Sequence, residues 1–84
     1  MEFTRIDDID ELGNLRVIYA LTSQPGYDFK ILATKLGVQL AGLTPKLTDM
    51  IAINECLVWA YYQQQKLRET GHAVPQPVLN RGEL

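Results

Sequence analysis

The hydrophobic and polar positions divide the chain into periodic segments separated by turn signals. Residues 7–23 open with acids, which helix N-termini favour, and continue with apolar side chains at intervals of three and four. This pattern predicts a first helix. The letters RVIYAL within it are rich in β-branched and aromatic residues, so a strand is an alternative for that stretch. A Pro-Gly pair in residues 23–27 then marks a turn.

Two more helices are indicated after this turn. Asp28 can cap the segment DFKILATKLG, whose apolar residues lie at helical spacing, and Gly37 suits the position just beyond a helix end. Thr44 and Pro45 are a typical cap and first residue of the next helix. Asn54 adopts left-handed backbone at low cost, so we expect that helix to end there.

Residues 55–70 carry two patterns that exclude each other. ECLVWAYY at 55–62 is rich in strand formers that alternate between two faces, which predicts a strand. The apolar residues of the same stretch also lie at helical spacing, which predicts instead one helix over about 45–70. Gly71 breaks either element, and the prolines that follow make the tail at 72–84 extended.

Composition indicates one small domain over residues 1–84, with its core at about 7–70. Of the residues, 46% are hydrophobic and 21% are charged, which is ordinary for a globular domain. The apolar runs are too short to span a bilayer, and the letters MEFTRIDDID lack the pattern of a secretion signal. Cys56 is the single cysteine, so we expect no internal disulfide and a cytoplasmic location.

The motifs offer no catalytic, cofactor-binding or metal-binding signature, so we expect no enzyme activity, no cofactor, no metal and no small-molecule substrate. The acids at 7–11 are expected to be a solvated helix start, and His72 to be a surface residue. The net charge of −2 gives no overall attraction for nucleic acid, but most acids precede the lysines, which allows one locally basic face.

A larger pattern joins the segments. RVIYAL is followed by a QPG turn, by ILATKLGV with a small residue at Ala33 and a glycine at Gly37, and by apolar Leu43, Leu47 and Met50. This arrangement, over residues 15–62, resembles the winged helix-turn-helix family of bacterial transcription regulators. The resemblance implies an α+β fold with three helices and a C-terminal β-hairpin. ECLVWAYYQQ and AVPQPVLN would then be the two strands of the hairpin, and KLRETGH would be the wing.

The same resemblance implies a non-enzymatic DNA-binding regulator or adaptor, commonly a homodimer. Thr44, Lys46 and Thr48 would lie on the helix that reads DNA, and Lys66 and Arg68 would lie on the wing. The aromatic residues at 59–62 would fill the core or cover a dimer surface.

A second resemblance implies a different class of protein. LTDMIAINECLVW, residues 47–59, is similar to a short helical pattern of phage tail assembly chaperones. It implies an all-α bundle with a long helix at 45–70 and an exposed apolar stripe that binds a segment of another protein. A phage-type assembly chaperone or a small inhibitor of a host protein would fit this description. The conformation of residues 55–62 separates the two hypotheses.

Overall fold

In a computed structural model, the chain forms a four-stranded antiparallel sheet covered on one face by one long helix. The structure describes residues 3–21, 29–42 and 46–76. The strands follow one another in the sheet as they do in the chain: β1 (Phe3–Ile9), β2 (Leu15–Leu21), β3 (Phe29–Thr34) and β4 (Gly37–Gly42). A short 3₁₀ turn (Leu47–Asp49) leads into the helix α1 (Met50–Thr70).

Both predicted folds are therefore wrong. The winged helix-turn-helix requires three helices and a C-terminal hairpin, whereas the described residues before Gly42 form the sheet and α1 occupies the place of the first hairpin strand. The all-α bundle is wrong because of the same sheet, although its long helix is present over Met50–Thr70. The alternative strand at RVIYAL is confirmed as part of β2.

The first hairpin explains why Gly13 lies where a helix was predicted. The N–H of Asp10 donates to the carbonyl of Asn14 at 2.9 Å, and the N–H of Gly13 donates to the carbonyl of Asp10 at 3.0 Å. Gly13 has a φ of 84°, which makes this a three-residue turn closed by a left-handed glycine. The Asp10 carboxylate accepts the backbone N–H groups of Asn14 and Leu12, which lower the pKa of this carboxyl group.

The second hairpin replaces the predicted helix DFKILATKLG. Phe29, Ile31 and Ala33 alternate into the core while Lys30 points out, which is the period of a strand. Two residues make the turn to β4, and Gly37 is the first residue of that strand instead of a helix cap. This short segment fits the helical period as well as the strand period, because it has apolar residues at neighbouring positions. Its pairing with β2 makes it a strand.

Helix α1 continues through Asn54, where we predicted an end, and through residues 55–62, where we predicted a strand. It stops at Gly71, which has a φ of 77° and donates its N–H to the carbonyl of Leu67 at 3.0 Å. The buried side of α1 consists of Ile53, Cys56, Ala60, Gln63 and Leu67. Small residues at 56 and 60 let the helix approach the sheet closely.

The core lies between α1 and one face of the sheet. Val17 and Tyr19 of β2 and Ile31 and Ala33 of β3 are at most 2% exposed on this face. The opposite face carries no helix among the described residues, and a row of Ile6, Ile18 and Leu32 crosses its centre through three neighbouring strands.

Residues 73–76 run without regular secondary structure beside α1. The fully buried amide of Gln63 holds them, because its Nε2 donates to the carbonyl of Val74 at 2.8 Å and its Oε1 accepts the N–H of Val74 at 3.0 Å. The hydroxyl of Tyr19 donates to Oε1 of Gln76 at 2.7 Å. The predicted Pro-Gly turn at 23–27, the cap at 44–45 and the tail beyond 76 lie outside the described residues.

Candidate interaction surfaces

The residues predicted to contact DNA do not form one surface. Lys46 and Thr48 are exposed before α1 begins, whereas Lys66 and Arg68 lie in its last two turns. The two pairs are separated by roughly 30 Å along the helix, at about 1.5 Å per residue. Thr44 lies outside the described residues. The wing that would have brought these side chains to one DNA duplex is absent from the described part of the chain, so DNA contact by them stays a prediction.

Lys66 makes contacts within α1 that compete with a role in binding phosphate. Its Nζ lies 3.7 Å from a carboxylate oxygen of Glu69 and 5.6 Å from the centre of the Tyr62 ring. Both contacts join neighbouring turns of the helix, where such pairs contribute a few tenths of a kcal/mol. They orient the lysine along the outside of α1.

The described residues include potential metal ligands, one thiol and one long helix. Within 3–21, 29–42 and 46–76, no group of three histidine, cysteine, aspartate or glutamate side chains is placed to hold a metal ion. Burial raises the pKa of the Cys56 thiol to about 12, so the thiol stays protonated and inert at neutral pH. In the same residues, no helix is both long and apolar enough to cross a membrane.

Four exposed apolar side chains lie on the outward side of α1 and of the turn that precedes it. Leu47, in the 3₁₀ turn, is 87% exposed, and Ile51, Val58 and Tyr62 are 82%, 59% and 39% exposed. The three helical positions lie within about 40° of one another and opposite the buried Ala60, at about 100° per residue. We call these four residues the outer stripe. Its side chains face away from the sheet and add nothing to the core.

Charges of both signs border the outer stripe. Glu55 and Lys66 lie on one flank, three turns apart, and Asn54 and Gln65 lie on the other flank. The stripe is therefore an apolar band with mixed polar borders. Such a surface suits a protein partner better than a polyanion, because a nucleic-acid surface needs clustered basic residues.

A second apolar surface follows the β4 side of the molecule. The Trp59 ring lies 6.3 Å from the Tyr19 ring, which places this flank of α1 toward β2. Tyr61 is about 200° from Trp59 around the helix and so faces the β4 side. Tyr61 is 56% exposed and Leu40 of β4 is 60% exposed. We call the surface that consists of β4, including Leu40, and of the Tyr61 side chain the β4 edge.

A third surface is the face of the sheet that α1 does not cover. Ile6 is 47% exposed there, and Arg16 holds Asp8 through two nitrogen–oxygen contacts of 2.8 Å. This guanidinium lowers the pKa of the Asp8 carboxyl group. A shallow cavity of about 410 Å³ opens near the turns, between Arg16, Leu32 and Leu36. The cavity is open to solvent, and the Arg16 guanidinium in its wall is already paired with Asp8, so the cavity indicates no class of ligand.

The sequence contained a signal for the outer stripe that periodicity alone left ambiguous. The steps from 47 to 51, 58 and 62 are four, seven and four residues, which is a helical face of its own. A second helical face carries the core residues. The β4 edge had a different signal, since the letters GVQLAG contain no charge and no proline. That signal could be used only once the segment was known to be an edge strand.

Searches for similar proteins found no matching family model, curated protein or solved structure.

Proposed function

We propose that this chain is a non-enzymatic, cytoplasmic protein-binding module whose outer stripe docks an amphipathic helix of another protein. The observation that carries the proposal is the exposure of Leu47, in the 3₁₀ turn, and of Ile51, Val58 and Tyr62 along one line of α1. Single exposed apolar residues are common on protein surfaces, but several on one side of an element mark an interaction site. The lone cysteine, buried as a thiol, is consistent with the reducing compartment that we expect.

The shape of the stripe favours a helix as its partner. Ile51 and Tyr62 are about 16 Å apart along the axis, or three turns at about 5.4 Å each. A ridge of this kind packs into the groove between side chains of a second helix at an axial distance of about 8–10 Å. Helix-in-groove recognition uses the same three-to-four-residue spacing of anchors.

The borders of the stripe form the rim of the proposed interface. Glu55 and Lys66 on this rim already take part in contacts within the chain, so they do not specify the charges of a partner. In such interfaces the apolar centre provides most of the affinity. The occupant that fits is therefore a short amphipathic helix whose apolar face covers the stripe.

Site-specific photo-crosslinking tests this proposal. A benzophenone amino acid is placed at Val58, at the centre of the stripe, and in a second variant at Arg68, which is exposed off the stripe and was predicted to contact DNA. We expect one protein to crosslink from position 58 and not from position 68. Crosslinks to nucleic acid from position 68, with none to protein from position 58, would instead support the DNA-binding hypothesis.

The crosslinked segment is then synthesised as a peptide and titrated against the full chain. We expect helical structure in the bound peptide and a loss of at least about tenfold in affinity for Val58→Asp, because a buried unpaired carboxylate costs more than about 1.4 kcal/mol. Arg68→Ala is the matched control and should bind as the original chain does. Equal affinity of Val58→Asp, or an extended bound peptide, would refute the proposal.

A further inference from the structure

We propose that two copies of this chain pair through their β4 edges and form one continuous eight-stranded antiparallel sheet, with both α1 helices on the same face. The β4 edge is a different surface from the outer stripe, and its occupant is a second copy of the chain.

Among the described residues, β3 is the only strand that pairs with β4, so the other side of β4 is an edge of the sheet. Thr34 and Gly37 flank a two-residue turn and are paired, which requires that they exchange both hydrogen bonds with each other. The pattern alternates along an antiparallel ladder, so Gly37, Gln39 and Ala41 bond to β3. Val38 and Leu40 consequently direct their N–H and C=O groups away from the sheet, where another strand can pair with them, and Gly42, with a φ of 97°, ends the extended part of β4.

The two edges of the sheet differ in charge. β1 carries Arg5, Asp7 and Asp8, and the Arg5–Asp7 pair, at 2.8 Å, lies on the face that α1 covers. Charged residues along an edge, especially ones that point toward the core side, hinder the approach of another strand. β4 has no charged residue and no proline. Within residues 3–21, 29–42 and 46–76, the sheet thus has one protected edge and one that can accept a strand.

The strand of a second copy that fits this edge is β4 and not β1. Pairing of β4 with β1 of the next copy would repeat without closing, and it would place the charges of β1 beside Leu40. Pairing of β4 with β4 is two-fold symmetric and closes after two copies. The charge difference between the edges therefore selects the closed arrangement.

The symmetric pairing has one register that uses the full strand. With Leu40 opposite Leu40 of the partner subunit, Val38 lies opposite the partner's Gly42. About four to six hydrogen bonds form, because the Leu40 pair exchanges about two and each Val38–Gly42 pair adds about one or two, depending on the carbonyl of Gly42, whose φ is 97°. Paired residues share a face, so both Leu40 side chains meet on the side of α1. Leu40 and Tyr61, which are 60% and 56% exposed, would then both be covered.

Sedimentation equilibrium of the full chain over a range of concentrations tests the inference. We expect a dimer that Leu40→Lys converts to a monomer, because two lysines would face each other at the symmetry axis. Ile9→Lys is the matched control, since Ile9 is an equally exposed apolar residue, at 63%, on the same face at the β1 edge. It should remain a dimer, as should Val58→Asp.

A crosslinking variant decides the case in which Leu40→Lys fails to fold. In the proposed register the two Cα atoms of residue 40 are about 5.5 Å apart, within the reach of a disulfide. Oxidised Leu40→Cys should therefore give a covalent dimer, and Ile9→Cys should not, while the buried Cys56 stays unreactive. A monomeric original chain, a dimer that survives Leu40→Lys, or a dimer abolished by Val58→Asp would each overturn the inference.

Discussion

Helix α1 has two apolar sides that serve different purposes. Ile53 is 2% exposed and Ile51, two residues earlier, is 82% exposed. The inner side places the small Cys56 and Ala60 between the larger Ile53 and Gln63, and the sheet packs against it. The outer side carries Ile51, Val58 and Tyr62 with no described element above them. Apolar composition alone therefore does not tell which side stabilises the fold, and variants on the two sides can separate folding from binding.

The largest difference is expected between the two isoleucines. Ile53→Ala should lower the free energy of unfolding by about 2–5 kcal/mol, because it leaves a cavity among well-packed neighbours. Ile51→Ala removes the same atoms from an exposed position and should change it by less than about 0.5 kcal/mol. Urea unfolding followed by circular dichroism measures both. Similar losses in the two variants would mean that the outer stripe is covered in the folded chain.

The next difference concerns two glutamines of the same helix. Gln63→Ala removes the buried amide that holds Val74 and leaves the partly buried N–H and carbonyl of Val74 without that partner, so we expect a loss of about 1–3 kcal/mol. Gln65→Ala is the control, because its side chain is exposed and its Nε2 donates to a carboxylate oxygen of Glu69 at 3.2 Å. The expected change there is below about 0.5 kcal/mol in the same urea experiment.

A pH-dependent difference should follow from the buried thiol. Burial raises the pKa of Cys56 from its ordinary value of 9.0 to about 12. The folded state thus keeps a proton that the unfolded state loses, and this stabilisation is complete below pH 9 and disappears as the pH rises to about 12. Cys56→Ala should flatten the dependence of the urea midpoint on pH in this range.

Burial raises the pKa of Tyr19 as well, so some alkaline dependence should persist in Cys56→Ala. A thiol placed on the outer side, in Val58→Cys, gives the complementary readout at neutral pH. It should react with a thiol reagent in the folded protein, whereas Cys56 should react only after unfolding. Rapid reaction of Cys56 in the folded chain would contradict the assignment of the inner side.

The smallest effect is expected for Lys66→Ala on the outer side. Its contacts with Glu69 and Tyr62 are partly exposed, so their loss should cost only about 0.2–0.5 kcal/mol. Added salt should reduce this cost further, since it screens surface charges. Thermal unfolding at low and high ionic strength measures it. A loss above about 1 kcal/mol would show that the outer side also contributes to the fold.

Local sequence signals identified some elements and misled at others. Gly71 ends α1 as predicted, and the strand alternative for RVIYAL is confirmed. The prediction of a helix at DFKILATKLG was wrong. A segment this short and apolar fits the helical period and the strand period equally well, and only its pairing with β2 shows that it is a strand. The prediction that the helix ends at Asn54 was also wrong. An exposed polar residue lowers the stability of a helix only slightly when tertiary packing holds that helix in place.

The candidate surfaces were harder to predict than the elements. The two apolar sides of α1 are both visible in the sequence, but the sheet determines which one is covered. The edge position of β4 depends on strand order, which no local pattern specifies. The DNA-contacting residues came from a resemblance whose fold is absent from the described residues, so their proposed roles lost their structural support.

The amide of Gln63 also sets a boundary for making shorter versions of this protein. The helix ends at Thr70, but the hydrogen bonds of Val74 and Gln76 tie six more residues to the interior. A fragment that ends at the helix terminus would leave the buried carboxamide of Gln63 without its backbone hydrogen bonds to Val74. The same fragment would leave the hydroxyl of Tyr19 without its partner Gln76. The minimal folding unit therefore extends to residue 76, through a segment that secondary structure alone would discard as linker.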